Sequence, residues 1–295
     1  MKINGKTKIF GILGFPVSHT FSPCFHNAAF EALKMNAVYA PFEVSPEGLN
    51  KAFQGLAALG VCGVNVTMPH KQAAIPLLDK LSPGAKAIGA VNTVLFKDGK
   101  TMGHNTDAEG FLLSLKDDLK VNPKGKSVLI FGSGGAARAI SYVLGREGAK
   151  SITLVDIVDE KAMELARKTK KDFPACRTEA ISFFMQEAID EKVLNSDILI
   201  NASIIGLKSR DSCIIKPATL HKKLAVYDII YNPPITPLLK EAKKRGLKSA
   251  GGIGMLLYQG AASFELFTGR KAPVPVMRRA CVDALRRALG KFIKR

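Results

Sequence analysis

The chain has 295 residues, 47% of them hydrophobic and 23% charged, the make-up of a globular protein with a substantial core and room for two domains. No apolar run approaches the ~18 residues of a membrane span, and the opening "MKINGKTKIFGILGF" lacks a signal-peptide core, so a cytoplasmic protein with no membrane partner is expected. The 43 Lys and Arg exceed the 25 Asp and Glu by 18, but they lie along helix faces such as "KEAKKRGLK" without interleaved aromatics, and tryptophan is absent. No nucleic-acid partner is therefore expected; the charge suits the attraction of anionic small molecules.

In chain order, "KIFGILG" reads as a strand. "SPCFHNAAFEALKM" reads as a helix with Ser22 as its cap and Pro23 at its first position. "AVYAPFEV" is a second strand, Ser45-Pro46 opens a helix to about Leu59, and "VCGVNVT" is a third, buried strand. That strand stops at Thr67, meets a proline, and delivers His70 and Lys71 to a helix, "HKQAAIPLLDKL". A lysine there is either a solvated charge or a proton donor at the mouth of a cleft, and the stretch alone leaves both open. "AVNTVLFKDGKTMGHN" reads as a hairpin turning at Asp98-Gly99. A capping box, Thr106-x-x-Glu109, then opens "TDAEGFLLSLKDDL". Strands alternating with helices imply an α/β fold with parallel pairing and right-handed crossovers.

The second half restarts as strand, glycine loop, helix and strand in "SVLIFGSGGAARAISYVLGREGAKSITLVD", with further strands at "DILINAS" and "AVYDIIY". The expected organisation is an α/β substrate-binding domain over residues 1–107, completed by C-terminal helices at about 255–295. A Rossmann-type doubly wound dinucleotide-binding domain occupies residues 108–254. In the basic C-terminal segment Met277, Cys281, Leu285 and Leu289 fall close to one helical stripe. The five cysteines form no CxxC and the five histidines no HxxxH, so neither a metal site nor a disulfide framework is expected.

"GSGGAA", residues 132–137, fits the dinucleotide fingerprint between an apolar strand and a helix. Gly132 permits the tight turn, Gly134 lets the backbone approach a pyrophosphate, and Ala137 allows close helix–strand packing. With Ser133, Gly135 and Ala136 this loop offers the helix N-terminus to the phosphates of NAD or NADP. Asp156 ends the second strand 19 residues after Ala137, where an acid binds the adenosine ribose hydroxyls and repels a 2′-phosphate. Ile157 and Val158 follow in place of an arginine, which favours NAD. The alternative is an ordinary solvated strand-end aspartate.

The remaining polar stretches, "SHTFSP", "NVTMPHK", "AVNTV" and "GHNTDAEG", each fall where an apolar run ends, the place where ligands gather in open α/β sheets. Together with "GSGGAARA", "YDIIYNPPITPLLKEAKKRG" and "GIGMLLYQGAASFELFTG" they make the chain resemble the shikimate dehydrogenase family over nearly its full length. The resemblance implies reduction of 3-dehydroshikimate to shikimate with NADPH, in aromatic amino-acid biosynthesis, or NAD(H) use on quinate or shikimate. It implies that Lys71 and Asp107 form the catalytic pair. Thr20 and Ser22 bind the substrate carboxylate with Tyr231 nearby, and Asn65, Thr67, Asn92 and Gln259 hold its hydroxyls. It also implies a monomer or homodimer, and a cleft with substrate on the N-terminal side and nicotinamide on the other.

Three departures stand out. Thr20 replaces the usual serine, "NASIIGL" (201–207) replaces "NATPxGM", and "DIVDE" stands where NADP-using members carry an Asn-Arg-Thr/Ser run. Independently of the resemblance, hydride reduction of a carbonyl needs a proton for the developing alkoxide. A lysine ammonium steadied by a carboxylate supplies it. Competing classes are another two-domain NAD(P) enzyme, such as a methylenetetrahydrofolate dehydrogenase, and a non-enzymatic nucleotide or nucleic-acid binder. The first does not call for "SHTFSP" and "GHNTD" together, and the second does not call for both Lys71 and Asp107.

Overall fold

The structure is a computed structural model that describes residues 3–208 and 210–293, with side chains as far as residue 287. It divides into two compact units: Met1–Thr106 with Leu257–Arg295 (unit 1), and Asp107–Leu256 (unit 2).

The first segment of unit 1 runs β1 (Lys8–Gly14), α1 (Ser22–Ala32), β2 (Ala37–Glu43), α2 (Leu49–Ala58), β3 (Gly63–Val66), α3 (His70–Ala73), β4 (Lys80–Leu81), α4 (Pro83–Ile88), β5 (Thr93–Lys97) and β6 (Lys100–His104). The sheet order is β2-β1-β3-β5-β6-β4. β1 pairs in parallel with β2 and β3, as expected of strands joined through helices. β5 runs antiparallel to β3 and β6 because the β5–β6 hairpin reverses the chain. Its turn is the expected one, with Asp98 at φ 51 and Gly99 at φ 69, two successive left-handed residues of a tight hairpin. One face of the sheet, with Leu13, Val64, Val66 and Val94, packs on Leu49, Phe53 and Leu56 of α2. Burial of each such side chain contributes roughly 1.5–3 kcal/mol.

Unit 2 runs α5 (Asp107–Asp117), β7 (Ser127–Phe131), α6 (Gly135–Arg146), β8 (Ser151–Asp156), α7 (Asp159–Asp172), β9 (Arg177–Ser182), α8 (Gln186–Leu194), β10 (Ile198–Asn201), β11 (Ala225–Asp228), α9 (Pro237–Lys244) and β12 (Ser249–Gly251). Its six strands are all parallel, in the order β12-β11-β10-β7-β8-β9. This is the doubly wound, Rossmann-type α/β arrangement expected from the sequence. The central strands β7, β10 and β11 are largely apolar runs because helices cover both faces, whereas the edge strand β9 is polar and part-exposed. The winding direction reverses between β8 and β10, on either side of β7, which creates a switch point at the carboxyl ends of the strands.

α10 (Ile253–Thr268) and α11 (Val274–Ile293) follow. From Leu257 onward they belong to unit 1. With α1 they cover its second sheet face: Phe10 packs its ring on Phe30 and Phe267, at 5.4 and 5.2 Å between centroids. Gly63 is required at this contact, since a Cβ there would lie 2.6 Å from the Phe267 ring. Met277 and Cys281 of the predicted stripe are buried and Leu285 is half-buried, whereas the Leu289 side chain lies outside the described residues.

The local expectations need three corrections. Ser22 does not cap α1: the helix starts at Ser22, with Phe21 before it, and the Ser22 hydroxyl accepts from Thr20 instead. "HKQAAIPLLDKL" is not one helix, because Pro76 lacks the N–H a continuing helix needs. α3 ends at Ala73, and a 3₁₀ turn over Ile75–Leu77 leads into β4. The Glu109 half of the capping box turns away to an ion pair with Arg146. Among the described residues no helix is long and apolar enough to cross a membrane, no cluster of metal-ligating side chains occurs, and all five cysteines are free thiols.

Candidate active site

In unit 1 the strand directions bring the predicted polar residues to one end of the sheet. Thr20 and Ser22 follow the carboxyl end of β1, and Asn65 and Thr67 lie at the carboxyl end of β3. Asn92 precedes β5, which runs the opposite way, and Thr106 follows β6. Backbone bonds tie the end together: Thr67 N–H donates to the Leu13 carbonyl at 2.8 Å, and Val66 N–H to the Asn92 carbonyl at 2.8 Å.

The amides of this edge form one buried hydrogen-bonded block. Asn92 Oδ1 accepts the Thr106 backbone N–H at 2.8 Å, which fixes which end of the amide is oxygen. Its Nδ2 therefore donates, to Thr106 Oγ1 at 2.8 Å and Gln259 Oε1 at 3.2 Å. Asn65 is fixed in the same way: Nδ2 donates to the Asn92 carbonyl at 2.9 Å, to Thr93 Oγ1 at 3.0 Å and to Ser263 Oγ at 2.9 Å. Its Oδ1 accepts the Tyr39 hydroxyl at 2.7 Å. Ser263, on α10, also meets Thr93 Oγ1 at 2.8 Å and Thr106 Oγ1 at 3.0 Å. Asn65 and Asn92 are 5% and 2% exposed, so leaving any of these groups unpaired would cost ~1–3 kcal/mol.

Three of the residues implied by the resemblance, Asn65, Asn92 and Gln259, are thus joined, together with Thr106, read in the sequence only as a helix cap, and with Tyr39, Thr93 and Ser263, which the sequence did not single out. Their signal was slight. Ser263 is one small hydroxyl in a largely apolar helix, and Tyr39 alternates in a strand. Register places Tyr39 on the face of Asn65, and only the hydrogen bond itself brings Ser263 there. Thr20 and Ser22 are joined to each other, at 3.2 Å between hydroxyls. Lys71 sits half-buried in α3, and its carbonyl accepts the Val91 N–H at 2.8 Å. The neighbouring His70 is buried, with Nε2 2.7 Å from the Val44 carbonyl. Burial lowers the His104 pKa.

In unit 2, Asp107 is the buried first residue of α5. Tyr231 is half-buried, three residues beyond β11. The glycine loop joins β7 to α6 at the switch point. Gly132 has φ 97, and a Cβ there would lie 2.8 Å from the Ala202 carbonyl oxygen, so both conformation and space demand glycine. A Cβ at Gly134 would meet nothing within 4 Å, leaving the backbone open to a pyrophosphate. Gly135 and Ala136 begin α6, whose first-turn N–H groups lack intrahelical acceptors. Asp156 is held by two bonds: Oδ2 accepts from Ser133 Oγ at 2.6 Å, and Oδ1 accepts the Val158 N–H at 3.0 Å. The loop and Asp156 are therefore one constellation, and these residues fit a dinucleotide.

The departing segment "NASIIGL" has its own anchor. Asn201 Nδ2 donates to the Ile205 carbonyl at 2.9 Å and to Asp228 Oδ1 at 3.1 Å, while its Oδ1 accepts from Ser203. Asp228 also accepts from Thr236 Oγ1 at 2.7 Å and the Ile230 N–H at 3.0 Å. Burial raises the Asp228 pKa to about 6, against these hydrogen bonds, which lower it.

Comparisons with known proteins agree with this arrangement. The family model "Shikimate dehydrogenase substrate binding domain" matches residues 12–94, and "Shikimate 5'-dehydrogenase C-terminal domain" matches residues 252–281. A curated relative from Methanopyrus kandleri, named "Shikimate dehydrogenase (NADP(+))", is 43% identical over 97% of this chain and 99% of its own. A solved shikimate dehydrogenase in complex with NADP+ superposes with a TM-score of 0.87 at 39% identity, covering 96% of this chain and 98% of that one. The shikimate 5-dehydrogenase of Listeria monocytogenes, in complex with shikimate and NAD, superposes with a TM-score of 0.85 at 34% identity, covering 95% and 98%.

Proposed function

The chain belongs to the shikimate dehydrogenase family, and we propose that it interconverts 3-dehydroshikimate and shikimate. Bound NAD(P)H supplies the hydride. The protein's own part is to hold the ring and manage the proton. The Lys71 ammonium delivers a proton to the oxygen that gains negative charge as the carbonyl is reduced, and takes it back in the reverse direction. Asp107 is its carboxylate partner. Thr20 and Ser22 donate hydroxyl hydrogen bonds to the substrate carboxylate, with Tyr231 beside it. Asn65, Thr67, Asn92 and Gln259 hold the ring hydroxyls. Thr20 keeps the hydroxyl of the usual serine and adds a methyl, so this position narrows the pocket without removing a donor.

In the same reading unit 2 binds the dinucleotide through Gly132, Ser133, Gly134, Gly135 and Ala136, and Asp156 selects NAD. A carboxylate accepts from ribose hydroxyls and repels a 2′-phosphate, and the two residues after it, Ile157 and Val158, are apolar and exposed. The reaction is cytoplasmic, in aromatic amino-acid biosynthesis, with the protein a monomer or homodimer and without a nucleic-acid partner.

The observation that carries the reading is the gathering of Thr20, Ser22, Asn65, Thr67 and Asn92 at one end of the unit 1 sheet, with Asn65, Asn92 and Gln259 in one bonded block. A four-way rate matrix tests it, with shikimate and quinate each offered with NAD and with NADP. The expected order puts shikimate with NAD first. No oxidation of either acid removes the reading, a strong NADP preference removes the role of Asp156, and turnover of quinate alone keeps the mechanism but changes the substrate.

A further inference from the structure

Asn65 Nδ2 is tied to three acceptors, whereas its Oδ1 has a single partner, the Tyr39 hydroxyl, so what holds that phenol also holds the oxygen end of the amide. Two such holds lie on α1, behind the sheet. The Asn27 side chain clamps the backbone of Tyr39 from both sides: its Nδ2 donates to the Tyr39 carbonyl and its Oδ1 accepts the Tyr39 N–H, each at 2.9 Å. The His26 ring stacks on the Tyr39 ring with centroids 4.2 Å apart and planes within 7°. Tyr39 is 2% exposed and is fixed in main chain and ring before its hydroxyl makes any contact.

That hydroxyl reaches past β1 to β3 and donates to Asn65 Oδ1 at 2.7 Å. The direction of donation is forced. Asn65 Nδ2 faces the Asn92 carbonyl, which can only accept, so Oδ1 is the acceptor and the phenol must be the donor. The phenol proton is therefore committed to Asn65, and the amide assigned to the substrate ring is held at its oxygen by a side chain that is itself fixed at main chain and ring.

We propose that Tyr39 is a positioning residue for substrate binding, whose clamped and stacked side chain ties down the oxygen end of the Asn65 amide. This rests on the reading of unit 1 as the shikimate-binding unit. Tyr39 touches no reacting atom, so its loss acts on binding and not on the chemical step.

The test is Tyr39→Phe, with kcat and KM measured separately for shikimate and for the dinucleotide. The expected result is a KM for shikimate raised about tenfold, as the oxygen end of the amide loses its one tie, with kcat within twofold of wild type and the dinucleotide KM unchanged. A tenfold rise corresponds to ~1.4 kcal/mol of binding. An unchanged shikimate KM, or a fall in kcat alone, overturns the proposal. So does an equal rise in both KM values, which marks a general loss of structure. Wild-type protein that turns over neither acid sinks the family reading and this inference with it; active wild type with an indifferent Tyr39→Phe sinks the inference alone. If the variant does not fold, wild-type protein carrying [13Cζ]tyrosine decides. The Tyr39 resonance must move when shikimate is added, because the phenol donates to the amide that takes up the substrate ring, and a resonance that stays in place overturns the proposal.

Discussion

Lys71 and His70 are adjacent in sequence but differ in role. The His70 ring is buried against the Val44 carbonyl and belongs to the scaffold. Lys71 is half-buried at the end of the sheet where the polar residues gather. Positioned proton transfer contributes about 10²–10⁴-fold in rate. Lys71→Ala is therefore expected to lower kcat for shikimate oxidation by about that factor, while dinucleotide affinity, measured by titration calorimetry, stays at the wild-type value. A variant with wild-type turnover would remove Lys71 from the chemistry. Asp156 shows how a residue's meaning depends on its partners. In sequence it is a strand-end acid; in the structure it is also the acceptor that fixes Ser133 within the glycine loop.

The glycine loop has two glycines with opposite reasons for being there, and substitution separates them. Gly132→Ala introduces a Cβ 2.8 Å from a carbonyl oxygen at φ 97, which costs about 2 kcal/mol and should lower the thermal midpoint by about 4–8 °C. Gly134→Ala has open space and an ordinary φ of −74. It should leave the midpoint unchanged and weaken dinucleotide binding, as the new methyl stands where the pyrophosphate approaches. A scanning-calorimetry run on each variant, with and without dinucleotide, separates the two. This loop was legible in the sequence because its signal is local: strand, turn and helix lie within some twenty consecutive residues. The amide block was legible only in part. Asn65, Asn92 and Gln259 came from the family motifs, whereas Tyr39, Thr93 and Ser263 join them through sheet register and a helix 198 residues away from Asn65. "HKQAAIPLLDKL" was misread because its helical periodicity outweighed a single proline. Ser22 was misread because a hydroxyl before a helix suits a cap and a binding group equally well.

Acid should act on the two units in opposite senses. His26 in unit 1 is fully enclosed, and neither ring nitrogen has a hydrogen-bond partner in the structure. Desolvation by burial lowers its pKa from 6.5 to about 3. Below pH 6.5 the unfolded chain takes up a proton that the folded unit refuses, so stability falls as pH falls, by about 2 kcal/mol at pH 5. Asp228 in unit 2 is the converse: burial raises its folded pKa from the ordinary 3.8 to about 6, so the folded unit holds a proton the unfolded chain has lost. Its contribution therefore rises as pH falls, by about 1 kcal/mol between pH 7 and 5. Amide hydrogen exchange followed by mass spectrometry suits the comparison, since the chain has no tryptophan to report by fluorescence. Peptides of the unit 1 sheet should lose protection between pH 7 and 5, after correction for the intrinsic exchange rate. His26→Phe, which places a fourth ring among Phe25, Tyr39 and Phe264, should abolish that loss. An unaltered pH dependence in His26→Phe would show that another group carries it.

Because Ser263 closes the block that Asn65 begins, the order of synthesis matters. A chain ending at residue 256 carries all of unit 2 but only the first segment of unit 1, with the Phe10 face of the β1–β3 sheet covered by α1 alone and Asn65 without its bond to Ser263. Unit 2 can fold as soon as it emerges, whereas the amide block of unit 1 must wait for α10 and α11. Over that interval the growing polypeptide exposes part of an apolar sheet face that chaperones would recognise.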